Sequence, residues 1–263
     1  MTVLIDRPDA SARAEQQAPA VRLSGVSKAF GRGSAAAMVL QGVDLVVNPG
    51  EFITVVGASG CGKSTMLNLL AGLDSPTGGT VEVSGRTAFM FQEATLLPWL
   101  TARRNVELAL RLRGVPREDR QARAMELLEL VNLAQGAHKR PHELSGGMRQ
   151  RVALARVLAQ DAKVVLMDEP LGALDAMTRD RMHDEIERIW QAMGLTVIFV
   201  THNMREAVRL GDRVLLMGSH PGRVVLERWI DVPRPRRIDS PEVAVLAAEL
   251  TDALREEVSR HVG

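Results

Sequence analysis

The chain has no tyrosine, a single cysteine and almost no net charge. A lone thiol excludes an internal disulfide and fits a reducing compartment. With 33 basic against 32 acidic residues the formal charge is +1, so no global field draws the chain to nucleic acid or to acidic partners. Long hydrophobic runs are missing too. No stretch approaches the roughly 18 apolar residues that a membrane-spanning helix needs. In the Ala-, Gln- and Pro-rich start of the chain the apolar run Val3-Leu4-Ile5 is too short for a signal-peptide core. The expectation is a cytoplasmic chain that does not itself cross a bilayer. No internal repeat is visible, and 263 residues suffice for a large core in one or two domains.

Residues 1–20 read by composition as a disordered extension. Residues 21–26 alternate like a half-buried strand, with Phe30 in the loop that follows. Two further strand-like runs, 39–47 and 52–56, flank Asn48-Pro49-Gly50-Glu51, a hairpin signal. Residues 93–160 read as almost wholly helical, with Thr101 capping one segment and Ser145 opening another. Strand and helix then alternate again through buried runs at 164–167 and 196–200. After Pro233 and Pro235, an amphipathic helix starts at Ser240-Pro241. The pattern predicts an α/β fold: a central, mainly parallel sheet, an antiparallel β subdomain near the N-terminus, and a helical insertion. The expected divisions are 21–232 for the nucleotide domain and 233–263 for a Pro-rich linker and terminal helix.

The strongest motif is Gly57-Ala58-Ser59-Gly60-Cys61-Gly62-Lys63-Ser64-Thr65, which follows an apolar run and precedes a helical one. Strand, glycine-rich loop and helix make a P-loop: backbone N–H groups converge on phosphate, and the helix dipole adds to the attraction. Lys63 would reach the β- and γ-phosphates and the Ser64 hydroxyl would ligate Mg²⁺. Asp168 and Glu169 end the apolar run at 164–167, and alternation would turn the two carboxylates opposite ways. Asp168 would then hold Mg²⁺ through water and Glu169 serve as general base to the attacking water. His202, after the run at 196–200, suits a γ-phosphate contact, although a lone histidine there is often structural. Gln92, after Phe89-Met90-Phe91, could reach Mg²⁺ or the water.

A second anion cradle is written at Leu144-Ser145-Gly146-Gly147, where a hydroxyl and two glycines start a helix. One triphosphate needs only one P-loop. The economical reading is that Ser145, Gly146 and Gly147 close over a nucleotide held by another copy; the bland one is a well-capped helix.

Taken in order, these motifs resemble those of the ATP-binding subunits of ABC transporters. The resemblance identifies Walker A at 57–65, the Q-loop at Gln92, the signature at 144–150, Walker B at 164–169, the D-loop at 171–175 and the switch His202. It implies a head-to-tail homodimer with ATP between one subunit's Walker A and the other's signature. Ser145 and Gly147 would meet the γ-phosphate across that dimer, and Asp175 would help join the two sites. Phe30 takes the place of the family's adenine-stacking aromatic, and Met148 stands where the signature usually has Gln. Leu96-Leu97-Pro98-Trp99, residues 171–179 and the turn at His220-Pro221-Gly222 resemble the nitrate, sulfonate and taurine importer branch. That branch implies a peripheral subunit on the inner face of the membrane, a transmembrane permease docking near the Q-loop, and an extracytoplasmic substrate-binding protein. Precursors of thiamine or riboflavin stay open as cargo. A DNA-repair or chromosome-structuring ATPase would need a long heptad-patterned arm, for which the insertion has no room. A metabolite kinase would leave the cradle at Ser145 unexplained.

Overall fold

The structure is a computed structural model that describes residues 3–5, 18–31, 36–219 and 221–262. Its chain divides into two compact units, residues 1–85 with 194–263, and residues 86–193.

The first unit is built on strands β1 (Val3–Ile5), β2 (Val21–Phe30), β3 (Ala37–Val47), β4 (Phe52–Gly57), β5 (Gly78–Val83), β8 (Thr196–Val200), β9 (Arg213–Gly218) and β10 (Arg223–Trp229). β4 lies between β8 and β9 and is parallel to both. Every residue of β4, β8 and β9 is buried, which is why these strands read as unbroken apolar runs. β10 returns antiparallel along β9. A separate antiparallel sheet has the order β3-β2-β5. Helices α1 (Lys63–Leu70), α6 (Met204–Leu210) and α7 (Pro241–Val262) complete the unit. Val243, Ala247 and Leu250 of α7 pack on Val56, Ala207, Val214 and Leu216, so the terminal helix is part of this core.

Three expectations change here. Asn48-Pro49-Gly50-Glu51 does form a turn, with the Glu51 N–H donating to Asn48 O. The turn joins no hairpin, because β3 pairs with β2 and β4 with β8 and β9. It carries the chain from one sheet to another, and Glu51, Arg213 and the Val46 carbonyl tie the crossing together. Phe30 is the last residue of β2 and not a loop residue. Val3–Ile5, inside the segment assigned to disorder, run parallel to β10 as an edge strand: three consecutive apolar residues suffice to extend an open ladder. Residues 6–17 and His220 lie outside the described residues.

In the second unit β6 (Thr87–Met90) and β7 (Val164–Asp168) pair in parallel, Met90 opposite Met167. In the chain, helices α2 (Ala102–Leu112), α3 (Arg117–Leu130) and α4 (Gly146–Leu158) lie between these two strands, and α5 (Ala176–Met193) follows β7. The insertion is less continuous than its composition suggests. Residues 91–101 are irregular, and Asn105, 1% exposed, explains their order. Its amide accepts from Leu97 N–H and donates to the Leu97, Leu100 and Thr101 carbonyls at 3.0–3.3 Å. Thr101 caps α2 as expected, accepting from Arg104 N–H.

Candidate nucleotide-binding site

In the first unit β4 and β8 are parallel neighbours, so the loops after them leave from the same edge of the sheet, the usual place for a ligand in an open α/β sheet. Gly57 ends β4, and the loop turns on a hydrogen bond from Cys61 N–H to Ala58 O. Gly60 and Gly62 have φ of 78° and 97°, a left-handed backbone that side chains disfavour. A Cβ on Gly57 would come within 2.6 Å of Met217 O. The turn after β9 also presses on this loop: a Cβ on Gly222 would fall 2.0 Å from Cys61 O. The first turn of α1 has no acidic residue, so no carboxylate of that turn offsets the positive end of its dipole.

Ser59, Gly60 and Ser64 are exposed at the mouth of the loop and Thr65 is half-buried. Lys63 folds back, and its ammonium donates to the Gly57 and Ala58 carbonyls at 2.9 Å each. Cys61 is fully buried, and burial pushes its thiol pKa up despite Lys63 Nζ at 3.8 Å. His202 is exposed, and its neighbours are locked. Thr201 Oγ1 donates to Glu206, Asn203 N–H donates to Thr201 Oγ1, and Asn203 Oδ1 caps α6. Phe30 is 47% exposed, which rules out a core role for its ring.

The second unit carries Gln92, Ser145, Gly146, Gly147, Asp168, Glu169 and Asp175. Gln92 follows β6, and Asp168 and Glu169 end and follow β7, at one edge of the parallel pair. Alternation does not separate the two carboxylates. Asp168 is the last strand residue, and Glu169 has already turned to φ 44°. A non-glycine residue held in that region marks local strain, which is characteristic of functional sites. The turn closes with Gly172 N–H donating to Glu169 O. A Cβ on Gly172 would stand 3.7 Å from Gln92 Nε2 and 3.9 Å from Glu169 Oε2, so both side chains converge over that glycine.

Ser145 is exposed at the start of α4, where its hydroxyl accepts from Met148 N–H at 3.3 Å. Gly147 is buried, and a Cβ there would lie 2.3 Å from Thr178 Cγ2. Met148 reaches towards Gly136, which accounts for an apolar residue at that position. Gln150, 4% exposed, donates from Nε2 to the Gln92 carbonyl at 2.7 Å and so ties α4 to the segment after β6. Asp175 caps α5, accepting from Thr178 N–H, and this hydrogen bond draws its carboxyl below the ordinary range. Arg179 donates to the Leu171 and Leu174 carbonyls and shapes the same loop. Sequence reading missed Asn105, Gln150, Asn203 and Arg179. Gln150 bonds a carbonyl 58 residues away, which no local pattern announces. Asn105, Asn203 and Arg179 bond groups within eight residues, and what they shape is irregular loop for which the sequence carries no period.

A glycine-rich loop between a buried parallel strand and a helix defines a P-loop nucleotide-binding protein of the α/β class. Comparison with known proteins narrows that class. The family model described as ABC transporter matches residues 40–172. The chain is 47% identical over 241 residues to the aliphatic sulfonates import ATP-binding protein SsuB 1 of Mesorhizobium japonicum, covering 89% of this chain and 88% of that one. It is 46% identical over 254 residues to the aliphatic sulfonates import ATP-binding protein SsuB of Rhodopseudomonas palustris, covering 94% and 88%. Among solved structures, the dimeric post-hydrolysis state of the ATP-binding cassette MJ0796 bound to ADP and Pi superposes with a TM-score of 0.72 at 35% identity. That match covers 81% of this chain and all of the other. The chain belongs to the ABC transporter family, with the mixed α/β fold of its ATP-binding cassettes.

Proposed function

We propose that the chain is the ATP-hydrolysing subunit of an importer of aliphatic sulfonates. It works as a head-to-tail pair on the inner face of the membrane, beneath a separate permease supplied by an extracytoplasmic substrate-binding protein. The observation that carries this reading is the 46–47% identity to sulfonate-import relatives along about nine-tenths of the chain. Among the described residues no helix is long and apolar enough to cross a membrane, so translocation falls to another subunit. Trp99, 67% exposed beside the ordered segment held by Asn105, offers an apolar contact for that permease.

The residues fit a magnesium-bound triphosphate. In the first unit the amides at the start of α1 and the Lys63 ammonium suit phosphate and the Ser64 hydroxyl suits Mg²⁺; in the second unit the Asp168 carboxylate and the Gln92 amide oxygen are likewise of the hard donor type that Mg²⁺ prefers. A Mg²⁺ ion held by these donors would supply charge neutralisation to the phosphates. Lys63 exchanges its loop carbonyls for phosphate oxygens. Phe30 stacks on adenine. Glu169 orients the attacking water and accepts its proton, and Gln92, beside it over Gly172, senses the same water. His202 donates to the γ-phosphate from a loop that Thr201 and Asn203 hold rigid. Ser145, Gly146 and Gly147 close over the nucleotide of the paired subunit, and Asp175 links the two sites.

The test is growth on an aliphatic sulfonate as sole sulfur source. A strain lacking this chain fails to grow, the wild-type chain restores growth, and Glu169→Gln does not. Unimpaired sulfonate uptake in the deletion strain would overturn the cargo assignment.

A further inference from the structure

Lys28 and Phe30 lie two residues apart on β2 and therefore on one face of the strand. The Lys28 ammonium sits 4.8 Å from the centroid of the Phe30 ring, within cation–π range. The lysine is 8% exposed and its ring neighbour 47%. An ammonium held away from water needs acceptors, and two are supplied from the turn after α1. Lys28 Nζ donates to Asp74 Oδ1 at 2.6 Å and to Ser75 O at 2.8 Å. Asp74 is fixed in turn by the Ser75 N–H at 2.7 Å. The strand between them is pinned as well: Ala29 N–H donates to Thr77 Oγ1, and Thr77 N–H and Oγ1 both donate to Ser27 O. The end of β2 is thus a rigid shelf. One face of its terminal ring rests on a tethered positive charge, and much of the ring remains open to solvent.

We infer that Lys28 is a positioning residue for nucleotide binding, holding the Phe30 ring from beneath as a preset platform for the adenine base. The inference rests on the reading of Phe30 as the adenine-stacking residue and adds to it. A phenylalanine at a strand end, with no hydroxyl to anchor it, would otherwise lose side-chain freedom each time a base stacked on it. The cation removes that freedom in advance and draws electron density towards the covered face, which favours an electron-rich base on the other.

The experiment compares ADP with tripolyphosphate, which carries the phosphates without a base, by titration calorimetry on the full chain. Lys28→Met keeps length and removes charge, and it is expected to weaken ADP binding about three- to fivefold, at the low end of the cation–π range because the effect on the base is transmitted through the ring, while tripolyphosphate affinity stays unchanged. In a Phe30→Ala background Lys28→Met should have no further effect on ADP. Asp74→Asn, which loosens the tether and leaves the lysine in place, should give a smaller loss confined to ADP, so the inference can be tested even if Lys28→Met folds poorly. Equal losses for ADP and tripolyphosphate, or an undiminished Lys28 effect without the ring, would overturn it. Should Phe30→Ala itself leave ADP affinity unchanged, the stacking role of Phe30 falls and this inference with it. A loss on Phe30→Ala with none on Lys28→Met or Asp74→Asn sinks the inference alone.

Discussion

Glu169 combines a carboxylate with a backbone that such a residue rarely adopts, φ 44° directly after a buried strand. On the proposed reading Glu169 accepts the proton of the attacking water, and Glu169→Gln preserves its shape while removing that acceptor. Turnover should fall about 10²–10⁴-fold while ATP binding persists; steady-state hydrolysis beside equilibrium nucleotide binding checks both halves. Full turnover would place the base elsewhere. Cys61 makes the opposite point. Its place between P-loop glycines suggests a thiol whose alkylation blocks ATP and which ATP protects, but the structure buries the sulfur completely. Burial raises the thiol pKa, so the thiolate is scarce at neutral pH and becomes available only as pH rises. Iodoacetamide should therefore modify native Cys61 at least about tenfold more slowly than a free thiol, reaching the free rate in denaturant; a native rate equal to the free one would contradict the burial. At this scale the sequence was a good guide to residues whose backbone surroundings are local. Gly60 and Gly62 announce their left-handed turn by composition alone. Gln150 does not, since its partner is a carbonyl 58 residues away.

The elements were legible where one kind of burial governs a whole segment. Strands β4, β8 and β9 are buried throughout, and their apolar runs show it. α7 buries Val243, Ala247 and Leu250 in one stripe and was recognisable from that spacing. Legibility ended at pairing. The Asn48–Glu51 turn looks like a hairpin because turn chemistry is local, whereas the choice of β8 and β9 as partners of β4 depends on residues more than 140 positions on. The start of α4 shows how a motif and its packing are one requirement. Gly147 is needed for anion binding in the signature reading, and it also leaves room for Thr178 Cγ2 on α5. Gly147→Ala should cost about 1–3 kcal/mol in urea unfolding, as overpacked core positions do. Thr178→Ser deletes the clashing methyl and keeps the hydroxyl beside Asp175, so the double variant should regain most of that loss. A Gly147→Ala variant as stable as wild type would show that α4 and α5 are less closely packed than the structure has them.

For the molecule as a whole, the P-loop of the first unit and the signature of the second are each complete in local geometry. Ser145 is exposed at a capped helix start and Ser59, Gly60 and Ser64 at the mouth of the loop. On the proposed reading neither half acts on a triphosphate alone, and the two that meet come from different copies. Lys63→Ala disables the P-loop of its subunit and leaves the signature intact; Ser145→Arg does the reverse. Each variant alone should be inactive, because every site in either homodimer carries one broken half. Mixing them creates pairs in which one site holds both defects and the other neither. ATP hydrolysis measured on the mixture should reappear if the halves meet between copies. A mixture as inactive as its two components would contradict the head-to-tail site on which the account depends.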